Sequence, residues 1–252
     1  MYLRMVEATV KIDGEVLLGS VYSEKILSSL EKIPGCIFAG LLHSHDHSKK
    51  YISLTLWKSQ KDAEAYEQSG AYQKNLESVK DYLEKGSEWK IHLSEDNTVE
   101  YSPVPVEPDI KMYPVSGNEA HLPDEVPANS NYLRILSLKI NKGYKDEFTH
   151  IYNSEILPEL KKIEGCRYAF LLDNSDHDSE MISLSIWDDA DAVERYEKEG
   201  AYKGFLKKIE HTLGGLYQWK MALENRSRTK SAITSQDIGV SKFTLITGRK
   251  FN

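Results

Sequence analysis

The chain has 252 residues, a formal net charge of −7 and 40% hydrophobic residues. This length suits one large domain or two ordinary ones. The acidic balance argues against nucleic-acid binding, which usually needs a basic face, and the apolar runs are too short to span a bilayer. The N-terminal Met-Tyr-Leu-Arg-Met-Val-Glu is typical of a strand rather than of a signal peptide. We therefore expect a cytoplasmic protein without a nucleic-acid or membrane partner.

The sequence is an internal duplication. Shifted by 130 positions, residues 2–93 match residues 132–223 without a gap, with 31 identities in 92 positions. Tyr2-Leu3-Arg4 falls on Tyr132-Leu133-Arg134, and Gly70-Ala71-Tyr72 falls on Gly200-Ala201-Tyr202. A period this long that occurs twice indicates two domains rather than a solenoid.

Between and after the copies lie two segments of different composition. Residues 95–130 form a proline-rich linker or extended arm, since six of the eight prolines fall between Ser94 and Asn131. The predicted domains are therefore 1–94 and 131–225, followed by a C-terminal arm at 226–252. This arm echoes the linker, because Asp237-Ile238 aligns with Asp109-Ile110. Its end, Lys242–Thr247, has strand composition.

In chain order, the first copy begins with a strand over Tyr2–Ile12 and a helix that follows Asp13-Gly14 and reaches about Lys32. A second strand covers Cys36–Leu42, and a polar turn leads to a third strand over Tyr51–Trp57. Cys36 and its counterpart Cys166 are too few for a disulfide framework and are expected to be small buried hydrophobes.

The third strand has two distinct faces in each copy. One face holds Ile52, Leu54 and Leu56, which suit packing against helices. The other holds Ser53, Thr55 and Trp57, repeated as Ser183, Ser185 and Trp187. This hydroxyl-bearing face is the candidate ligand face.

The rest of the copy is a broken helix and a last strand. Ser59 and Asp189 are predicted N-caps, and Gly70 and Gly200 interrupt the helix that each begins. A final strand contains Trp89, which recurs as Trp219.

The element order is βαββαβ, twice. The predicted fold class is α+β: two ferredoxin-like domains that pair within the chain as a pseudo-dimeric α/β barrel, with helices outside. Further oligomerisation through the helix faces stays open.

A histidine-rich turn follows the second strand. His43, His45 and His47 alternate, and alternate residues of an extended strand share a face. This pattern is a weak candidate for a metal site, whereas a polar hairpin turn explains it equally. Only Asp46-His47 recurs, as Asp176-His177, which favours the turn.

The run from Ile52 to Tyr72, a strand that ends in Trp followed by a helix, resembles the antibiotic biosynthesis monooxygenase domains, and both copies share it. The resemblance implies a dimeric α/β barrel with a small-molecule pocket between sheet and helices, bordered by the strand-end Trp57 and Trp187. Some members oxidise polyketide-like aromatics without metal or flavin, others degrade haem, and others have no known reaction. The haem ligand of that family would fall near Leu76 and Leu206, where no His stands. The quinone-forming members often have Asn where this chain has Ser53 and Ser183.

The resemblance implies a monooxygenase that needs no cofactor and acts on a small aromatic or quinol-like substrate. The alternatives are a binding or stress-response protein without turnover and, disfavoured, a haem-degrading enzyme. The catalytic residues are unknown. The candidate pocket residues share an aromatic ring, a hydroxyl or a charge; they are Trp57, Trp187, Ser53, Ser183, Tyr72, Tyr202, Tyr66, Tyr196 and Glu7. Arg4 and Arg134 are candidates either for an anionic ligand or for surface salt bridges. We expect the two cavities to differ in size and polarity, with Glu7 making the first more acidic if it points inward.

Overall fold

The computed structural model describes residues 1–11, 14–84, 87–93, 99–105, 109–116, 132–173, 179–214 and 238–251. The first copy and the linker contain β1 (Tyr2–Thr9), α1 (Glu15–Val21), α2 (Leu27–Leu30), β2 (Cys36–Ser44), β3 (Lys50–Trp57), α3 (Gln60–Gln68), α4 (Ala71–Val79), β4 (Ser87–Leu93), β5 (Val99–Pro105) and β6 (Asp109–Ser116). The second copy and the C-terminal arm contain β7 (Tyr132–Lys139), α5 (Lys145–Ile151), α6 (Leu157–Leu160), β8 (Cys166–Asp173), β9 (Glu180–Trp187), α7 (Ala190–Lys198), α8 (Ala201–Ile209) and β10 (Ile238–Lys250).

Eight strands close an antiparallel barrel in the order β1-β3-β2-β10-β7-β9-β8-β6. The two halves are built alike: Tyr2 lies opposite Trp57 where β1 pairs with β3, and Tyr132 lies opposite Trp187 where β7 pairs with β9. The predicted fold class, two ferredoxin-like repeats paired within one chain, is confirmed.

The fourth strand of each half of the barrel comes from an arm, although β4 follows the helices of the first copy at the predicted place in the chain. β4, which contains Trp89, pairs with β5 in a separate two-stranded sheet. β6 takes the place beside β1, and β10 takes the place beside β7. Trp219 lies outside the described residues. Each arm also bonds the other copy's sheet, β6 to β8 and β10 to β2, so each arm forms one joint between the copies.

The register of the arms corrects their alignment. Glu7 is opposite Asp109, whereas the equivalent Ser137 is opposite Gly239. Asp109 therefore corresponds to Gly239, two residues from the alignment that the Asp-Ile dipeptides suggested. A shift of two residues keeps every side chain on the same face, so the alternation in the sequence could not reveal it.

The barrel interior is filled by aliphatic and aromatic side chains from both copies. Ile52, Leu54 and Leu56 pack there with Leu133 and Phe243, so the face predicted to meet the helices points into the barrel instead. The opposite face of β3, with Trp57, packs under the first copy's helices. The prediction had the faces reversed, because both faces of this strand are covered, and alternation then shows that the faces differ without showing which one meets the helices.

The helices cover the outside of the barrel, and their ends follow the sequence signals. Ser59 Oγ and Asp189 Oδ1 accept hydrogen bonds from the amides of Asp62 and Ala192, as predicted for N-caps. Gly70 and Gly200 have φ values of 75° and 93°, a conformation that glycine adopts without cost, and they separate α3 from α4 and α7 from α8. None of the helices in the described ranges has the length and apolar character needed to span a bilayer.

Candidate ligand cavity of the first copy

A cavity of about 70 Å³ lies between the sheet and the helices of the first copy. β1 and β3 form its floor, and α4 forms one wall. Its polar lining residues are Arg4, Tyr22, Tyr51, Ser53, Thr55, Tyr66, Tyr72 and Asn75. Its apolar lining residues are Val6, Ala8, Leu18, Ile26, Leu30, Leu41, Leu76, Val79 and Leu83.

Arg4 is a buried cation in this lining, with only 2% of its surface exposed. Its Nε donates to Glu67 Oε1 at 2.8 Å. Its guanidinium carbon lies 4.4 Å from the ring centroid of Tyr72 and 5.6 Å from that of Tyr66, within the range of cation–π attraction. Its Nη2 is buried and makes no hydrogen bond to a described residue. Arg4 is therefore not a surface residue, and one of its donors is left for another acceptor.

A pair from two helices supplies a second polar group. Asn75 Nδ2 donates to the Tyr66 hydroxyl at 3.0 Å. Burial raises the pKa of Tyr66 to about 12, although the bond from Asn75 and the charge of Arg4 act to lower it. The phenol is thus protonated at neutral pH and can donate its own hydrogen to an oxygen in the cavity.

A third group was missed by the sequence analysis. Tyr22 lies in a π-helical turn, Tyr22–Ile26, between α1 and α2, and its hydroxyl is 2.8 Å from Ser53 Oγ. It also donates to Gly40 O at 3.3 Å. Burial raises the pKa of Tyr22 above its usual value, so it too is neutral. Such π-turns frequently occur at functional sites, but in the sequence Tyr22 is indistinguishable from a core position of an amphipathic helix.

The second copy has the equivalent cavity in reduced form, about 20 Å³. Arg134, Tyr152, Ser183, Tyr196 and Tyr202 repeat the polar positions. At four lining positions the side chain is larger than its counterpart in the first copy: Leu136 for Val6, Leu138 for Ala8, Phe205 for Asn75 and Ile209 for Val79. The two cavities differ in size as expected, and these four larger side chains take up part of the space.

The profile of the antibiotic biosynthesis monooxygenase family matches the chain twice, over residues 1–77 and 131–208. The chain belongs to this family. Similar folds occur in a protein of Fusobacterium nucleatum described as a candidate monooxygenase (9% identity, TM-score 0.66) and in one of Lactobacillus acidophilus described likewise (9%, 0.63). A third is an anthrone oxidase-like protein (12%, 0.56). Each alignment covers 99% of this chain and 94%, 95% and 93% of the respective neighbour. No curated protein matches the chain.

Some of the residues predicted for the pocket line one of the two cavities, and others do not. Ser53, Tyr66 and Tyr72 line the first cavity, and Ser183, Tyr196 and Tyr202 line the second. Trp57 and Trp187 line neither. Both indoles are fully buried, donate Nε1–H to Thr55 and Ser185, and stack behind Tyr66 and Tyr196 at centroid distances of 5.1 and 4.9 Å. The tryptophans are a second layer behind the cavity wall, which corrects their expected position.

Glu7 is also absent from the cavity lining. It alternates with Val6 and Ala8 and so faces away from the helices, where its carboxylate pairs with Lys50 Nζ at 2.7 Å. The conditional expectation of a more acidic first cavity therefore does not apply.

The three histidines of the turn do not share a strand face, because β2 ends at Ser44. His43 stacks on Tyr51 and its Nε2 lies 2.6 Å from Ser48 O. His45 Nε2 lies 2.6 Å from Thr244 Oγ1 on β10. Within the described residues, no group of three or more potential metal ligands comes together. The second copy's Asp176-His177 lies outside those residues.

Proposed function

We propose that the first cavity is the active site of a cofactor-independent monooxygenase that acts on a small phenol or quinol. The observation that carries this proposal is Arg4, a buried cation that lines a largely apolar cavity and whose Nη2 makes no hydrogen bond to a described residue. A guanidinium in such surroundings favours a phenolate oxygen over a neutral hydroxyl. Membership of the monooxygenase family supports oxidation as the reaction class.

The reaction needs only the substrate and dioxygen. The phenol loses its proton, and electron density from the phenolate makes the ring carbons ortho and para to the oxygen nucleophilic. The carbon that reacts must carry a hydrogen, so it is an ortho carbon in a quinol, whose para carbon already carries the second oxygen. Dioxygen adds at the carbon that reacts, and loss of the ring hydrogen with cleavage of the O–O bond leaves a quinone and one water. One oxygen atom enters the ring and the other becomes water, so the four electrons of the oxidation come from the substrate itself.

In this mechanism the cavity residues bind and orient the substrate, but they do not supply a base. Among the described lining residues there is no carboxylate and no imidazole, and burial keeps Tyr22 and Tyr66 protonated. The substrate proton must therefore leave to water, and Arg4 stabilises the anion that remains. It follows that turnover should increase with pH according to the acidity of the substrate, not of the protein.

The cavity must widen before a ring can enter. A cavity of about 150 Å³ is known to hold benzene, roughly twice the present volume. α4 is the wall best suited to move, because Tyr72, Leu76 and Val79 are only partly buried and Gly70 meets no atom within 4 Å of its Cβ position. We expect single-ring substrates to be preferred over tricyclic ones.

Oxygen consumption with a panel of phenols, 1-naphthol and hydroquinones tests the proposal. The expected result is stoichiometric uptake of dioxygen, a quinone product that contains one ¹⁸O atom from ¹⁸O₂, and no hydrogen peroxide. The rate for each phenol should increase with pH with a midpoint that follows that phenol's own pKa. Peroxide as the product would indicate an oxidase instead.

The lack of a base favours one alternative, a binding protein without turnover. Tight binding of phenols with no oxygen uptake at any pH would establish that function in place of the oxygenase.

A further inference from the structure

The two cavities of this chain share their polar framework but not their volume. In the second copy, Leu136, Leu138 and Ile209 are 5% or less exposed and belong to the packed core between sheet and helices. The first copy's counterparts Val6, Ala8 and Val79 are smaller, and the space they leave belongs to the first cavity.

The fourth difference changes chemistry as well as size. Asn75 is buried and bonds the Tyr66 hydroxyl at 3.0 Å. Its counterpart Phe205 lies 6.2 Å, centroid to centroid, from the ring of Tyr196, the counterpart of Tyr66. A buried amide that bonds a tyrosine in one copy is thus replaced by a ring contact in the other. Asn75 therefore keeps a polar side chain in the wall of the first cavity, where Phe205 gives the second cavity an apolar one.

We propose that the chain has one ligand site, in the first copy, and that Asn75 makes this site specific for a ligand with a hydrogen-bonding oxygen. This inference rests on the proposed function for the class of ligand. Asn75 donates to the oxygen of Tyr66, which orients the Tyr66 hydrogen toward the cavity, where the ligand oxygen also meets Arg4. Phe205 removes this arrangement from the second copy, and the three larger aliphatic residues fill the space that a ligand ring would take.

The test uses the full chain and a matched pair of probes, 4-fluorophenol and 4-fluorotoluene, observed by ¹⁹F NMR. The wild type should bind one 4-fluorophenol per chain and prefer it to 4-fluorotoluene. The variant Ala8→Leu/Asn75→Phe introduces the two largest of the four differences into the first cavity and should bind neither probe. The variant Leu138→Ala/Phe205→Asn removes the same two differences from the second cavity and should bind two molecules of 4-fluorophenol.

The single variant Asn75→Leu tests specificity at nearly constant volume. It should lower the preference for 4-fluorophenol over 4-fluorotoluene by about tenfold, the usual effect of one hydrogen bond, without abolishing 4-fluorotoluene binding. Circular dichroism and thermal unfolding of each variant control for folding, and the Leu138→Ala/Phe205→Asn variant provides a gain of binding that misfolding cannot produce.

Two bound molecules in the wild type, no binding at all, or undiminished binding in the Ala8→Leu/Asn75→Phe variant would overturn the single-site inference. An unchanged preference in Asn75→Leu would overturn the role of Asn75. One bound 4-fluorophenol without oxygen uptake would leave this inference standing while refuting the oxygenase, so the two failures are distinguishable.

Discussion

Arg4 and Arg134 are equally buried and equally paired, yet only Arg4 borders a cavity of useful size. We predict that Arg4→Met lowers the affinity for a phenolate by about 10- to 100-fold, since hydrogen bonds to charged groups contribute roughly 1.5–3 kcal/mol. Binding of 4-nitrophenol above and below its own pKa measures this loss, which should appear only for the anion. Arg134→Met is the matched control and should leave binding unchanged; equal losses in both variants would contradict a specific role for Arg4.

Trp57 and Trp187 are fully enclosed, and their removal should affect stability rather than binding. We predict that Trp57→Ala and Trp187→Ala each lower the free energy of unfolding by about 3–5 kcal/mol, the usual cost of deleting a buried aromatic side chain. Urea denaturation measures it, and Trp→Phe at each position is the milder control. A cost below about 1 kcal/mol would place the indole against an open space and restore it as a pocket wall.

At the level of single residues, the sequence predicted a lining residue where its type departs from a core pattern or where it lies in the run that resembles the family. Ser53 is polar on an apolar strand, and Tyr66 and Tyr72 lie in the Ile52–Tyr72 run, so these were found. Tyr22 was missed because a tyrosine at helical spacing looks like core. Asn75 was missed although the repeat offered a signal: its alignment with Phe205 exchanges a polar for an apolar residue at one helix position.

The helix pair α7 and α8 contains two glycines, and we expect their replacement by alanine to change the stability in opposite directions. Gly200 needs its positive φ of 93°, whereas Gly204 is an exposed position inside α8 with open space at its Cβ. We predict that Gly200→Ala destabilises the protein by about 1–2 kcal/mol through left-handed strain. Gly204→Ala should stabilise it by about 1 kcal/mol through helix propensity. Thermal unfolding of the two variants checks this, and shifts of the same sign would contradict the reasoning.

β10 is tied to α7 through a charge network. Glu197 accepts from Lys242 of β10 at 2.8 Å and from Arg134 at 3.0 Å. Partial burial acts to raise the pKa of Glu197, but these hydrogen bonds and charges outweigh it and the pKa is lowered. A carboxyl with a lowered folded-state pKa adds stability above its unfolded-state pKa of about 4.3 and loses it as the pH falls through the folded value.

We therefore predict that Glu197→Gln is less stable than the wild type at pH 7 and that the difference shrinks as the pH falls below about 4.3. Unfolding midpoints measured from pH 7 to pH 3 provide the comparison. Glu159→Gln is the control, because the ion pair that Glu159 forms is exposed to solvent. A difference for Glu197→Gln that stays constant with pH would show that the network contributes no charge-dependent stability.

At the level of elements, helix caps and strand positions could be predicted because each depends on neighbouring residues. Which strand completes each half of the barrel could not be predicted. β4 and β6 both have strand composition, and the choice between them depends on which arm can reach β1 and the other copy's sheet at once. That is a long-range condition, and alternation within a strand contains no information about it.

Within the described residues, the barrel has two joints between its copies, and the two pairings differ in length. β10 pairs with β2 from Phe243 to Lys250, whereas β6 meets β8 only at Val115 and Ser116 within the described residues. β10 also places Phe243 and Leu245, both 2% or less exposed, in the barrel interior. Local opening occurs where buried contacts and paired backbone are fewest, so the barrel should open first at the β6–β8 joint.

We predict that amide hydrogens of β6 exchange with solvent at a lower opening free energy than those of β10. Hydrogen–deuterium exchange with mass spectrometry on peptides that cover 109–116 and 238–250 measures both joints in one sample. Leu245→Ala should remove the difference, because deleting a buried leucine side chain costs about 2–5 kcal/mol and weakens the stronger joint. Equal protection of β6 and β10 in the wild type would show that the two joints open together, and that the barrel unfolds as one unit despite the short pairing of β6 with β8.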